Sequence, residues 1–149
     1  MSISEFCSRH VVCAERGTTI NEAARLMRQH HVGDVIIVDC VGVRRIPVGI
    51  VTDRDIVVEI VAAGLDARAL KVDDLVDGPL VTVAETASYA ETVRLMSNKG
   101  VRRIPVLNAA GDLVGIITLD DMLRQLAGPL AQLGELTNRG RQHETRTRA

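Results

Sequence analysis

Apolar residues recur along this chain at two spacings, helical and strand-like, and the same succession of spacings occurs twice. Ile20, Ala23, Ala24 and Met27 follow the i, i+3, i+4, i+7 pattern of a one-faced helix. Tyr89, Thr92, Val93 and Met96 repeat it. Each of these helices is predicted to open with a hydroxyl three residues ahead of a glutamate, Thr19-Ile20-Asn21-Glu22 and Ser88-Tyr89-Ala90-Glu91, the signature of a capping box. Two β-branched runs around a Gly-containing turn then predict a hairpin: 34–38 with 48–51, and 103–107 with 113–117. A last helix starts at Thr52 or Thr118, with Ile56, Val57, Ile60, Val61 or Met122, Leu123, Leu126 as its apolar positions. Ahead of each set lie a helical turn (3–7; 72–76) and a short strand (11–14; 80–83). The order is β-α-β-β-α, twice. Both faces of each strand are apolar, so helices should cover the sheets. The predicted class is α/β (α+β), with two tandem repeats packed about a pseudo-two-fold axis.

Alignment of the copies fixes their limits. An offset of 69 places Val12 on Val81, Glu22 on Glu91, Arg25-Leu26-Met27 on Arg94-Leu95-Met96 and Val32 on Val101. Past residue 40 the offset falls to 66, so the first copy has three extra residues near Cys40-Val41-Gly42. The predicted repeats are 2–63 and 71–127, joined by a linker at 64–70. Repeats of this length are expected to pack on each other. Arg44-Arg45-Ile46-Pro47-Val48 and Arg102-Arg103-Ile104-Pro105-Val106 are identical in letters but 58 residues apart, a distance that fits neither register. They are predicted to occupy different places in the fold.

The segment 128–149 stands apart. Gly128-Pro129 is expected to break the last helix. Leu130, Leu133 and Leu136 would form one further short turn, and the polar remainder, with Arg139, Arg141, Arg146 and Arg148, is expected to be partly disordered. The alternative is an arm that binds an anion or a partner.

Composition narrows the function. The 149 residues are 46% hydrophobic, enough for a sizeable core, yet Phe6 and Tyr89 are the only aromatics. Stacking platforms for single-stranded nucleic acid need aromatic faces. A net charge of −1 supplies no global basic field for nucleic acid or an anionic membrane. Nucleic-acid binding is left to the arginine tail, as a minor alternative. Cys7, Cys13 and Cys40 have no Cys-x-x-Cys spacing, and the histidines have no metal-ligand spacing with them. Free thiols are expected and no metal site. Met1-Ser2-Ile3-Ser4-Glu5 lacks the charge-then-apolar layout of a signal peptide, and no apolar run approaches the ~20 residues of a membrane span. A soluble, cytoplasmic protein is expected. No Ser/His/Asp or Cys/His arrangement is evident, so no enzyme is expected either.

The duplicated junction carries the chemistry. Gly49-Ile50-Val51-Thr52-Asp53-Arg54-Asp55 has its counterpart in Gly115-Ile116-Ile117-Thr118-Leu119-Asp120-Asp121. Thr-x-x-Asp at a helix start is a capping box. The same geometry also suits a nucleotide. A helix N-terminus seats phosphate, a carboxylate accepts from vicinal ribose hydroxyls, and a nearby glycine lets a ligand approach the backbone. The two readings stand side by side at this stage.

These junctions, with Glu22-Ala23-Ala24-Arg25-Leu26-Met27, His31-Val32-Gly33 and Val101-Arg102-Arg103-Ile104-Pro105-Val106, resemble the CBS (cystathionine-β-synthase-type) domain. Residues 2–127 together resemble one CBS pair, or Bateman module. The agreement around 51–64 is similar to small stand-alone bacterial CBS proteins. The resemblance implies a ligand-sensing regulatory module without an obligatory cofactor. It would bind an adenosyl ligand (AMP, ADP or ATP, or else S-adenosylmethionine or NAD) in clefts between the repeats. It implies ribose contacts at Asp55 and Asp121 and phosphate contacts at Thr52 and Thr118. The adenine would lie against backbone at Cys13-Ala14 with Val35-Ile36, and at Thr82-Val83 with Ile104-Pro105. Arg102 would reach phosphate across the cleft; Arg54 either does the same or is solvated. It also implies a homodimer, a flat disc formed through the helices. The faces Ile20–Met27 and Ile56–Val61 are the expected material for that disc, and an unidentified protein could be a further partner. A nucleotide-free dimeric scaffold or protein-interaction module is the alternative.

Overall fold

The computed structural model describes residues 1–148. Each repeat forms one three-stranded sheet. In the first, β1 (Cys13–Glu15) lies parallel to β2 (Asp34–Val41), which pairs antiparallel with β3 (Arg44–Thr52). Helix α1 (Ile20–His30) connects the parallel pair, and α2 (Asp53–Asp55) follows β3. The second repeat runs β4 (Val83–Ala84), α3 (Tyr89–Lys99), β5 (Arg103–Leu107), β6 (Leu113–Thr118) and α4 (Leu119–Thr147), with the same pairing. The two Arg-Arg-Ile-Pro-Val segments do part company: the first lies in β3, the returning hairpin strand, and the second enters β5, the outgoing one.

Local signals act as expected at the helix starts. Thr19 and Ser88 each accept the amide of the glutamate three residues on, and that glutamate accepts the cap's own amide. Both helices end in a left-handed residue at equivalent positions, Gly100 in α3 and His31 in α1 (φ 53°). Glycine adopts this conformation freely, whereas a side chain there costs roughly 1–2 kcal/mol.

The repeats exchange their leading turns. Ile3, in the turn Ile3–Glu5, donates its amide to the Ala87 carbonyl and is buried in the second repeat's core with Val83, Met96, Ile104 and Ile117. Val72, in the turn Val72–Asp74, donates to the Thr18 carbonyl and is buried in the first repeat's core with Ile20, Met27, Val35 and Val51. A third cluster, Ile36, Val38, Leu113 and Ile116, seals sheet against sheet. The glycine that opens each junction motif makes the exchange possible. A Cβ on Gly49 would lie 2.6 Å from a Val76 methyl, and one on Gly115 would lie 2.9 Å from both Cys7 Sγ and the Ser8 carbonyl oxygen. These glycines admit the other repeat's leading segment, a role the sequence reading gave to a ligand.

Three further features differ from expectation. The apolar face of α1 is no interface for a disc, because Ile20, Ala23 and Met27 are buried within their own repeat. On the next helix Ile60 is buried, and of its apolar residues Val57, Val58 and Val61 face outward. That helix is itself irregular: after α2 the chain continues as a π-helical turn over Ile56–Val61, its widened bonds running from the Ala62 and Leu65 amides to the Val57 and Ile60 carbonyls. Finally, Gly128-Pro129 does not break the last helix, since α4 runs continuously to Thr147 with Pro129 inside it. An interior proline costs ~3 kcal/mol and each interior glycine ~1 kcal/mol relative to alanine. Residues 126–148 are exposed throughout, so within one chain nothing offsets those costs.

Candidate functional site

Both strand-to-helix junctions close as capping boxes. Thr52 donates its amide to the Asp55 carboxylate at 2.8 Å, and Thr52 Oγ1 accepts the Asp55 amide at 3.2 Å. Thr118 and Asp121 repeat this at 2.9 and 3.2 Å, with a further bond from the Thr118 hydroxyl to the carboxylate at 2.7 Å. Arg124 takes the other oxygen of Asp121 at 3.0 Å.

The next amides separate the copies. The Asp53 amide donates to Gly33 O, and Leu119 donates likewise to Arg102 O. In the first copy the Arg54 amide is then taken by the Asp53 side chain at 2.8 Å. Leu119 stands at the position of Asp53 and has no acceptor to offer. The amide of Asp120 consequently has no protein partner among the described residues. The first junction has closed its own helix end; the second leaves a donor free.

The second junction borders a cavity of about 480 Å³, within the usual range for small-ligand sites. It lies between repeats. The first repeat contributes His10, Val11, Val12 and the loop His31–Asp34; the second contributes Arg102, Arg103, Ile116, Thr118, Asp120, Asp121 and Arg124. Three arginines and two histidines thus face three carboxylates across one opening. A smaller cavity, about 290 Å³, lies by the first junction and is lined by Gly49, Ile50, Asp55, Leu80, Val81, Val101 and Arg103. Its only basic residue is Arg103.

Arg103 borders both cavities and reaches across the repeats to Asp34 at 2.8 Å. Gly33 makes room for it, since a Cβ there would lie 2.7 Å from an Arg103 nitrogen. Burial pushes the Asp34 carboxyl above the usual carboxylate range; Arg103 opposes that shift and Asp53 adds to it. The ion pair is close, yet the loss of water outweighs it.

Of the residues expected at a site, Thr118, Asp121 and Arg102 come together at the larger cavity and Asp55 lines the smaller. Thr52 caps the helix beside Asp55, while exposed Arg54 lines neither cavity. Cys13, Ala14, Val35, Ile36, Thr82, Val83, Ile104 and Pro105 also line neither. Val35, Ile36 and Ile104 are core side chains with no exposed surface. The first-repeat wall of the larger cavity is built by residues 10–12 and 31–34, the segments that lead into β1 and β2. His10, His31, Arg103, Arg124 and Asp34 were not anticipated. The motif His31-Val32-Gly33 was visible, but nothing local told that it faces the other repeat's junction.

The CBS domain profile matches residues 3–62 and 72–128. The chain belongs to the CBS domain family. Among CBS relatives, an uncharacterized Methanopyrus kandleri protein, MK0525, is 36% identical over 124 residues, covering 83% of this chain and 62% of that protein. Hypoxic response protein 1 of Mycobacterium tuberculosis is 37% identical over 116 residues, covering 78% of each. The crystal structure of Hypoxic Response Protein I, with two coordinated zinc ions, superposes with a TM-score of 0.70 at 34% identity over 83% of this chain and 98% of that one. The CBS protein PAE2072 of Pyrobaculum aerophilum, complexed with AMP, gives 0.75 at 26% identity, covering 86% of this chain and 99% of that one. Among the described residues here, no three His, Cys, Asp or Glu side chains gather as a metal site. No helix among them is long and apolar enough to cross a membrane.

Proposed function

We propose that this CBS pair is a regulatory module whose larger cavity binds an adenosyl ligand, with AMP, ADP or ATP as the ligand class. The observation that carries this is the asymmetry of the two junctions. A nucleotide needs an acceptor for its ribose hydroxyls and donors for its phosphates. The larger cavity offers the Asp121 carboxylate, the open Asp120 amide, and Arg102, Arg124, His10 and His31 as cationic or donating groups. The smaller cavity has Asp55 but a closed helix end and one arginine. The AMP complex of a CBS relative supports the ligand class. Because both repeats line the cavity, a ligand there bears on their relative placement. It shifts any conformational balance by its difference in affinity for the two states, and a partner would read that shift.

A second reading has its own support. Thr52–Asp55 and Thr118–Asp121 both close their capping boxes within the chain, and a nucleotide-free scaffold would require no more of them.

Thermal unfolding separates the two. Ligand at 100 times its Kd adds ~2.7 kcal/mol, a rise of roughly 5–11 °C for a chain of this size. AMP, ADP, ATP, S-adenosylmethionine and NAD would be scanned. A shift that survives Asp55→Asn and is lost in Asp121→Asn is the expected result. Absence of a shift with every ligand would leave the scaffold.

A further inference from the structure

Two equivalent positions of the repeats carry opposite charge and meet. Asp34 opens β2 and Arg103 opens β5, at the 69-residue offset of the copies. Each stands across its hairpin from the threonine of its own junction, Asp34 from Thr52 and Arg103 from Thr118. Both line the larger cavity, where Arg103 Nε lies 2.8 Å from Asp34. The Asp34 side chain is 13% exposed and has no other protein partner among the described residues. Asp121 is held more fully, by the Thr118 amide and hydroxyl as well as by Arg124. Asp120 is exposed to water. Of the carboxylates around this opening, Asp34 is therefore the one both shielded from water and dependent on a single cation.

A phosphate dianion entering that cavity acts on Asp34 twice. It competes for the donors of Arg103, and it brings negative charge to the same wall. Both effects favour the protonated carboxyl, and burial already holds Asp34 above the usual carboxylate range. The surrounding groups do not offset this. Asp53 at the start of α2, and Asp120 and Asp121 at the start of α4, are like charges. Arg124 is held by Asp121, while Arg102, His10 and His31 border the same opening and turn to the phosphate as well. On the reading of this cavity as a nucleotide site, we propose that Asp34 is its proton-binding residue. Phosphate and proton are bound together, the proton passing from solvent to the Asp34 carboxylate as Arg103 is drawn to the ligand. The module then senses nucleotide more strongly as pH falls.

The test is the binding of AMP, and separately ATP, to wild type and Asp34→Asn by calorimetry from pH 5 to 8, at each pH in two buffers of different ionisation enthalpy. Asparagine stands in for the protonated acid. The variant should bind more tightly than wild type at pH 8, by about tenfold for each unit by which the ligand raises the Asp34 pKa, and the ratio should fall toward one at pH 5. Wild type should take up protons on binding relative to the variant. Protons exchanged by the nucleotide itself, by His10 and by His31 are common to both proteins and cancel. Without ligand, Arg103→Gln should move the Asp34 titration midpoint upward, followed by NMR of its carboxyl carbon. Equal affinities at every pH, with nucleotide bound by both proteins, would overturn the proposal and leave the nucleotide reading intact. An Asp34 midpoint unmoved in Arg103→Gln would overturn it as well. Failure of both nucleotides to bind either protein would remove the nucleotide reading and this proposal with it.

Discussion

Replacing Gly115 by alanine tests the exchange of leading turns. The position is buried, with no positive φ to disfavour a side chain. Backbone conformation alone would therefore favour alanine by about 0.4–1 kcal/mol, through the reduced entropy of the unfolded chain. Against this, the new methyl lies 2.9 Å from Cys7 Sγ and 2.9 Å from the Ser8 carbonyl oxygen. The thiol can rotate. The carbonyl cannot, because it accepts the Ile116 amide at 2.9 Å and the Ser8 amide returns a bond to Ile116 O. Overpacking of this kind costs about 1–3 kcal/mol. At the midpoints of the two ranges the net expectation is a loss of about 1.3 kcal/mol, read as a lowered urea midpoint at unchanged slope. Cys7→Ala added to Gly115→Ala should relieve only part of the loss, since the carbonyl contact persists. Gly49→Ala should cost at least as much, because its Cβ would meet both Val76 methyls, at 2.6 and 2.8 Å, and a β-branched side chain cannot turn both aside. A Gly115→Ala variant as stable as wild type, or a double variant fully restored, would refute the packing argument.

Three other outcomes are expected. Asp34 binds its proton more tightly folded than unfolded, through burial; its contribution to stability is therefore present at acid pH and lost as pH rises from about 4 through its raised folded value. The stability difference between wild type and Asp34→Asn, from urea midpoints at pH 4 to 7, should shift against the wild type as pH rises. Asp55→Ala should cost a helix cap, about 0.5–2 kcal/mol, in the absence of ligand, with nucleotide-induced stabilisation retained, as calorimetry with and without AMP would read. The Cys7 and Cys13 thiols, held above the usual range by burial, should alkylate slowly in the native protein and rapidly in urea, as mass spectrometry of iodoacetamide-treated samples would show.

The fold was legible because its signals are local. Thr19–Glu22 and Ser88–Glu91 announce their helices, and the β-branched runs announce the hairpins. The repeated order then gives the architecture. What was not legible depends on contacts between repeats. Ile3 and Val72 read as parts of their own units, yet each is buried in the other's core. Gly49 and Gly115 read as openings for a ligand, yet each faces the other repeat's leading segment. The site followed the same division. Thr118, Asp121 and Arg102 could be read from the motif, whereas His10, His31 and Arg103 enter the larger cavity only because the sheets pack face to face. The contacts expected at Val35, Ile36 and Ile104 are backbone contacts with the adenine, on which the burial of their side chains does not bear. Pro129 was read by its ordinary effect on a helix. The continuous α4 runs against that local rule.

The central claim is that an adenosyl ligand occupies the cavity beside Asp121. Titration of the full chain with AMP, and separately ATP, followed by amide chemical shifts in NMR, tests it most directly. Saturable shifts should cluster at residues 10–12, 31–34 and 118–124, with the Asp120 amide among the largest, and Asp121→Asn should abolish them. Shifts confined to the lining of the smaller cavity around Asp55, or none at millimolar nucleotide, would contradict the account.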